Sequence, residues 1–256
     1  MKKAVCPPMR VQTTINLLGR ECTVTDLSHP ISPDDPTFGG HQRTVMWEHL
    51  THEETIQFGL TKAPYSYKVT GFTMCDHSGT HMDAINHIVN EPDARGIDMI
   101  PLEWTMAPGV WFDFSHLEPN AYITQPMIEQ AIADMGVTIQ KDSVALMHTG
   151  WYRKYKDPFE YIQNYPGLDR GACEYLNDLG VISYGADAQS VDSHHEVKTV
   201  RIQPAHIVCR EREILNMENL ANIDLIPKHE FSFIGLPLKF KDGSGSPIRA
   251  VAVTEN

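Results

Sequence analysis

Four side chains able to bind a metal ion or move a proton fall close together in this chain. They are His77, His81, Asp83 and His87, in the stretch HSGTHMDAINH at 77–87. His77, His81 and Asp83 offer two imidazoles and a carboxylate, a borderline nitrogen and oxygen set that suits Zn, Mn or Fe better than Ca or Mg. No cysteine accompanies them, which argues against a closed centre of the zinc-finger type. An isolated histidine is usually a surface or satisfied core residue, and the chain has 13. Four reactive groups in one short stretch are harder to explain that way.

The spacing also constrains the backbone. On a continuous helix His77 and His81 share a face, but Asp83 points about 200° further round. On a continuous strand at about 3.3 Å per residue, His77 and His81 stand roughly 13 Å apart, too far for one ion. A bend between the histidines is required, and Ser78 and Gly79 can make it, glycine because it adopts backbone angles closed to other residues. The expectation is His77 at the end of a strand, a turn through Gly79, and His81 and Asp83 returning to the same point. His87 is then left beside the metal as an acid or base.

The elements that must position these groups can be read in part. SYKVTGFTMCDH, 66–77, alternates and reads as the strand delivering His77. PGVWFDFSH at 108–116 and SVALMHTGW at 143–151 read as strands, the first of them buried. Between them TQPMIEQAIADMG reads as a helix, with Thr124 as cap, Pro126 in the first turn and Gly136 at the end. ACEYLNDLG is a second helix closing at Gly180, and it feeds VISYGADAQSVD, a strand ending in Asp187 and Asp192. EFSFIGLPLKF and IRAVAV, joined through a GSGSP turn, suit a hairpin. The alternation of strands and helices predicts an α/β domain with a substantial sheet. Residues 41–65 show no clear period and read as a solvated loop with scattered aromatics, and residues 1–22 as an N-terminal arm preceding a domain over 23–256. His148 stands open between core and pocket.

Composition narrows the function. A chain of 256 residues with 41% hydrophobic content can bury one sizeable core,. A net charge of −12 with no basic stretch makes nucleic acid and anionic membrane surfaces poor partners,. The 5 cysteines are scattered without a CxxC pair, which fits a reducing, cytoplasmic setting,. MKKAVCPPMR lacks the apolar run of a signal peptide, and no run reaches the roughly 18 apolar residues of a membrane helix. Neither a GxxxxGK phosphate loop nor a GxSxG elbow is present.

HSGTHMDAINH closely resembles the HxGTHxDxPxH signature of the cyclase-like metal-dependent hydrolases, the family of kynurenine formamidase and isatin hydrolase. GADAQSVD at 185–192, PAHIVCRERE with MENLANID at 204–224, and GSGSPIRAVAV at 243–253 are similar to further segments of that family. One departure is Ile85, where the family usually has proline. The resemblance implies a single α/β domain of the cyclase-like, swivelling β/α/β fold, and a homo-oligomer, a dimer or tetramer. It implies His206 and Glu218 as further metal ligands, so that His77, His81 and Asp83 serve one ion and Asp83, His206 and Glu218 a second. Carboxylates can bridge two ions about 3.5–4 Å apart. It also implies that Phe38 is the counterpart of an aromatic residue set against the substrate.

The expected function is hydrolysis of a small molecule at an amide, cyclic amide or lactone carbonyl. One or two Zn ions, or Mn, would activate the water by lowering its pKa to about 7, and His87 would relay a proton to the leaving group. The His206 and Glu218 pair favours an N-formylkynurenine-type substrate, that of an arylformamidase. The GSGSPIRA tail favours the alternative, an isatin hydrolase-like enzyme with one Mn. Two other classes stay open: a non-haem iron oxygenase, which also uses two histidines and a carboxylate, and a non-catalytic metal-binding protein, which would have no use for His87.

Overall fold

The computed structural model describes residues 10–88, 90–199, 201 and 203–256. Residues 1–9 of the expected arm lie outside the described residues. One mixed sheet dominates. Its strands in chain order are β1 (Gln12–Leu17), β2 (Arg20–Asp26), β3 (His81–Asp83), β4 (Met106–Asp113), β5 (Ser143–His148), β6 (Val181–Ala186), β7 (Leu215–Glu218), β8 (Glu230–Ile234), β9 (Gly245–Pro247) and β10 (Val251–Glu255). Across the sheet the order is β1-β2-β10-β8-β4-β5-β6-β7-β3-β9.

The four strands β4 to β7 run parallel. Parallel neighbours need a crossover, and three helices supply them: α1 (Gln125–Met135), α2 (Arg170–Asp178) and α3 (Pro204–Arg212). The expected punctuation of α1 is observed in part: Pro126 lies in its first turn and Gly136 sits at φ 63° past its end, while Thr124 holds the cap position without a side-chain hydrogen bond. In α2 the cap is the Asp169 carboxylate, which accepts from the Ala172 N–H at 2.7 Å. All residues of β5 are buried because both its faces are covered,. Ala145 and Met147 pack toward the helices with Phe112 and Tyr184, while Val144 and Leu146 pack into a second core with Leu215, Met217 and Phe233.

The antiparallel flanks close over that second core. Only residues 248–250 separate β9, at one edge of the sheet, from β10 near the other, so the sheet has to curl. Backbone bonds from Leu27 N to Ala250 O and from Ala221 N to Leu27 O, both 2.9 Å, tie the flanks together. The curl brings β3 in beside β7, with β9 on its far side, which matters for the chemistry.

Several expectations are corrected. Only Val69–Thr73 of the 66–77 stretch is a strand, and it pairs with Val45–Leu50 in a separate two-stranded sheet, so His77 follows on a turn rather than on the strand. Residues 41–65 hold that partner strand and a short helix, His52–Gln57, closed by a Thr51 and Glu54 capping box. Most residues of this arm are exposed on both faces, so no alternation marks them. The expected boundary at 22/23 falls inside β2, because Leu18 and Gly19 turn the chain and β1 pairs with β2 along its length. Gly245, Ser246 and Pro247 of the expected turn are themselves a strand, β9, paired with β3. No helix among the described residues is long and apolar enough to cross a membrane.

Candidate metal centre

Strand register builds the site. In the antiparallel β3 and β7 pair, His81 stands opposite Glu218 and Asp83 opposite Asn216. Side chains alternate along a strand, so these four share one face, while Met82 and Met217 between them enter the apolar core. His77 reaches the same point through the expected turn, with Gly79 at φ 65°. On the other side of β3, a Cβ on Gly245 would lie 2.7 Å from His77 Cε1, so glycine there makes room for the imidazole. His206 comes from α3. His87 comes from a short turn, Ile85–His87, anchored by Ile85, which is buried in the second core in place of the family's proline.

Three of these histidines, His77, His81 and His206, are each held by one ring nitrogen and turn the other toward the centre. His77 Nε2 lies 2.9 Å from Ser244 Oγ, whose hydroxyl donates to Asp76 at 2.8 Å. His81 Nδ1 lies 2.9 Å from the Gly79 carbonyl, which also accepts from Asn219 Nδ2 at 2.9 Å. His206 Nδ1 contacts the fully buried Asp192 carboxylate. An acceptor on the outer nitrogen takes that ring's N–H, so the inner nitrogen is the one that can be freed for a metal, the arrangement that metal-ligating histidines require.

The inner nitrogens converge on Asp83. Its Oδ1 lies 2.7 Å from His77 Nδ1 and 3.3 Å from His81 Nε2. That buried oxygen nevertheless makes no well-aligned hydrogen bond, as expected where lone pairs point at a common centre. Asp83 Oδ2 lies 3.4 Å from His206 Nε2, which lies 3.4 Å from Glu218 Oε1. Two sets have metal-ligand spacing among the described residues: His77, Asp83 and His87, and Asp83, His206 and Glu218; the expected trio of His77, His81 and Asp83 is not one of them, His87 standing where His81 was expected. His87 packs its ring on His77 at 4.1 Å.

The electrostatics fit a cation. Burial opposes charge on Asp83, yet His206, His77 and His81 hold its carboxyl well below the usual range. Burial and then the Asp83 charge push Glu218 up. For His81, burial favours the neutral ring, but Asp83 and Glu218 prevail and raise it to about 9. Two carboxylates thus sit in a dry site balanced by protonated imidazole, and a divalent ion can take the place of those protons. Burial instead lowers His87 to about 4, which leaves its imidazole neutral at pH 7.

The centre opens into a cavity of about 230 Å³ lined by Phe38, His41, His87, Gln189, Ser190 and Gln203, among others. A larger cavity of about 530 Å³ lies away from these ligands, around His29 and Tyr155.

Comparison with known proteins gives the family. The Cyclase family model, described as "Putative cyclase", matches residues 25–193, more than half of the chain. The chain belongs to the cyclase family. Isatin hydrolase of Roseibium aggregatum is 28% identical to this cyclase-family chain over 189 residues, 70% of this chain and 72% of that protein. Kynurenine formamidase of Bordetella avium is 27% identical over 231 residues, 88% and 95% of the two chains. A crystal structure of an isatin hydrolase bound to the product analogue thioisatinate shares the fold, with a TM-score of 0.81 at 22% identity over 92% of this chain and 93% of that one. This cyclase-family chain is a hydrolase with a mixed α/β fold.

Five of the six residues expected at the centre, His77, His81, His87, His206 and Glu218, line this cavity with Phe38, and the sixth, Asp83, is buried against His77, His81 and His206. His148 does not: it is 2% exposed and bonded to Asp187 at 2.9 Å. Sequence reasoning missed the groups behind the histidines, Asp76, Ser244 and Asn219, together with Asn216, and it gave Asp192 no role. Asp76 adjoins His77, and Ser244, Asp192 and Asn219 lie in segments similar to the family's, so a signal existed for those four.

The raised His81 has a measurable consequence. Its folded value of about 9 lies above 6.5, so the metal-free protein keeps His81 protonated at pH 7.5. A ligand nitrogen must be bare, so metal uptake at that pH is expected to release about one proton or more. Affinity then falls by about tenfold per pH unit for each proton displaced as the pH drops below 9. Calorimetry in two buffers of different ionisation enthalpy measures the proton release. Identical heats in both would contradict protonated His81.

Proposed function

We propose that this hydrolase holds a divalent cation on His77, His81 and Asp83 and cleaves the carbonyl–nitrogen bond of a small aryl amide. The supporting observation is the set of histidines whose outer nitrogens are tied to oxygen acceptors and whose inner nitrogens surround Asp83. When bound, a Zn or Mn ion supplies Lewis-acid activation of water and of the substrate carbonyl. The rest falls to the chain. Asp83 and the two histidines fix the ion beside the cavity, and Phe38 offers an apolar wall for an aromatic ring. His87, neutral and bordering both the ligands and the cavity, takes the proton from water and delivers it to the departing nitrogen,.

An N-formylkynurenine-type arylformamide is the leading substrate, supported by likeness to a kynurenine formamidase over 88% of this chain. A cyclic amide of the isatin type is the second reading, supported by likeness to an isatin hydrolase at 28% identity. Both have an aryl nitrogen as leaving group. Initial rates on N-formylkynurenine and isatin at matched concentrations test the order, and a higher kcat/KM for isatin would reverse it. The exposed apolar residues of the arm at 45–73, Trp47, Phe58, Tyr65 and Phe72 among them, support a homo-oligomer.

A further inference from the structure

Asp83 Oδ2, His206 Nε2 and Glu218 Oε1 have the spacing of a cation site. The nitrogen lies 3.4 Å from each oxygen, and ligands about 2.0–2.2 Å from a tetrahedral ion stand roughly 3.3–3.6 Å apart. A fourth atom is already directed at the same point. Asn216 Nδ2 lies 2.8 Å from Asp83 Oδ2, 3.0 Å from His206 Nε2 and 3.2 Å from Glu218 Oε1.

Two neighbouring carboxylate oxygens identify the facing amide atom as the nitrogen, because the amide oxygen would meet both of them without a proton between. The third contact, to His206 Nε2 at 3.0 Å, places the same atom at the centre of the three ligands. Asn216 is 1% exposed. Its backbone is fixed on both sides, paired with Tyr184 of β6 and Asp83 of β3, so the side chain has no route to solvent. A cation among these three ligands would face the hydrogens of a buried amide about 3 Å away or less.

We infer that Asn216 closes the second cation position, its amide standing where an ion would be, so that the centre takes one divalent ion. This rests on the metal reading of the same site. It makes His206 and Glu218 polar groups bordering the cavity rather than ligands of an ion of their own.

Protein stripped with chelator, reloaded with excess Mn(II) and desalted is expected to hold one ion per chain by elemental analysis. Its paramagnetic resonance spectrum should show the hyperfine pattern of an isolated ion. Asn216→Asp replaces the donor with a carboxylate and is expected to raise the content to two ions. Two ions per wild-type chain with a spin-coupled spectrum would overturn the role of Asn216 and leave the metal reading intact. A folded Asn216→Asp that stays at one ion would also overturn it. No ion bound at all would overturn the metal reading and this inference with it. If Asn216→Asp does not fold, the wild-type count and spectrum decide.

Discussion

Asp83→Ala is expected to hold no cation after reloading and to hydrolyse aryl amides no faster than the uncatalysed reaction. Asp83 is 4% exposed and uses both oxygens, Oδ1 between His77 and His81 and Oδ2 toward His206 and Asn216. It is the carboxylate nearest the inner nitrogens of His77 and His81, and Glu218 Oε2 is further away, 3.6 Å from His81 Nε2. Removing it leaves two imidazoles and no adjacent charge to balance a divalent ion. Loss of the ion removes the activation of both water and carbonyl, so the fall in kcat/KM should reach about 10⁶ or more, the low end of enzymatic acceleration. Elemental analysis and turnover on the same folded preparation check this, with circular dichroism confirming the fold. A variant that keeps its ion and its rate would remove Asp83 from the account.

His87→Ala is expected to do something different: keep the ion and lose about 10²–10⁴ in kcat, the usual worth of a positioned proton carrier. His87 also stands within ligand distance of His77 and Asp83, so geometry alone allows it to be a ligand. The turn that carries it distinguishes the roles. Ile85 anchors the turn in the core, the ring packs at a tilt on His77, and it faces the cavity where substrate would sit. A carrier of this kind must stay free to exchange protons with water and substrate. Metal content near wild type with kcat down and KM little changed supports the carrier. Loss of metal in step with activity would make His87 a ligand.

The parts of this site that were legible in the sequence are the local ones. His77, His81, Asp83 and His87 share eleven residues, and their types and spacing required the bend at Gly79 that the structure contains. His206 and Glu218 carry no such signal, and only the family resemblance pointed to them. What places Glu218 opposite His81 is the register of β3 against β7, a pairing between distant segments that no local pattern encodes. Asn216 and Asn219 read as ordinary polar residues because their significance lies in which acceptors the folded chain sets before them. Similarly, Gly245 to Pro247 looked like a turn on composition, and became a strand because the curled sheet offered β3 as a partner. The α1 helix was legible because Pro126 and Gly136 mark its ends chemically, whereas the exposed arm at 45–73 has no buried face to reveal a period.

The most direct test of the central claim is turnover of N-formylkynurenine and isatin by one preparation in three states: as purified, stripped with chelator, and reloaded with Zn or Mn. The account predicts hydrolysis of at least one of the two, lost on stripping and restored in proportion to the ion returned. A rate unchanged by stripping, or no hydrolysis of either amide by the folded and fully loaded protein, would contradict it.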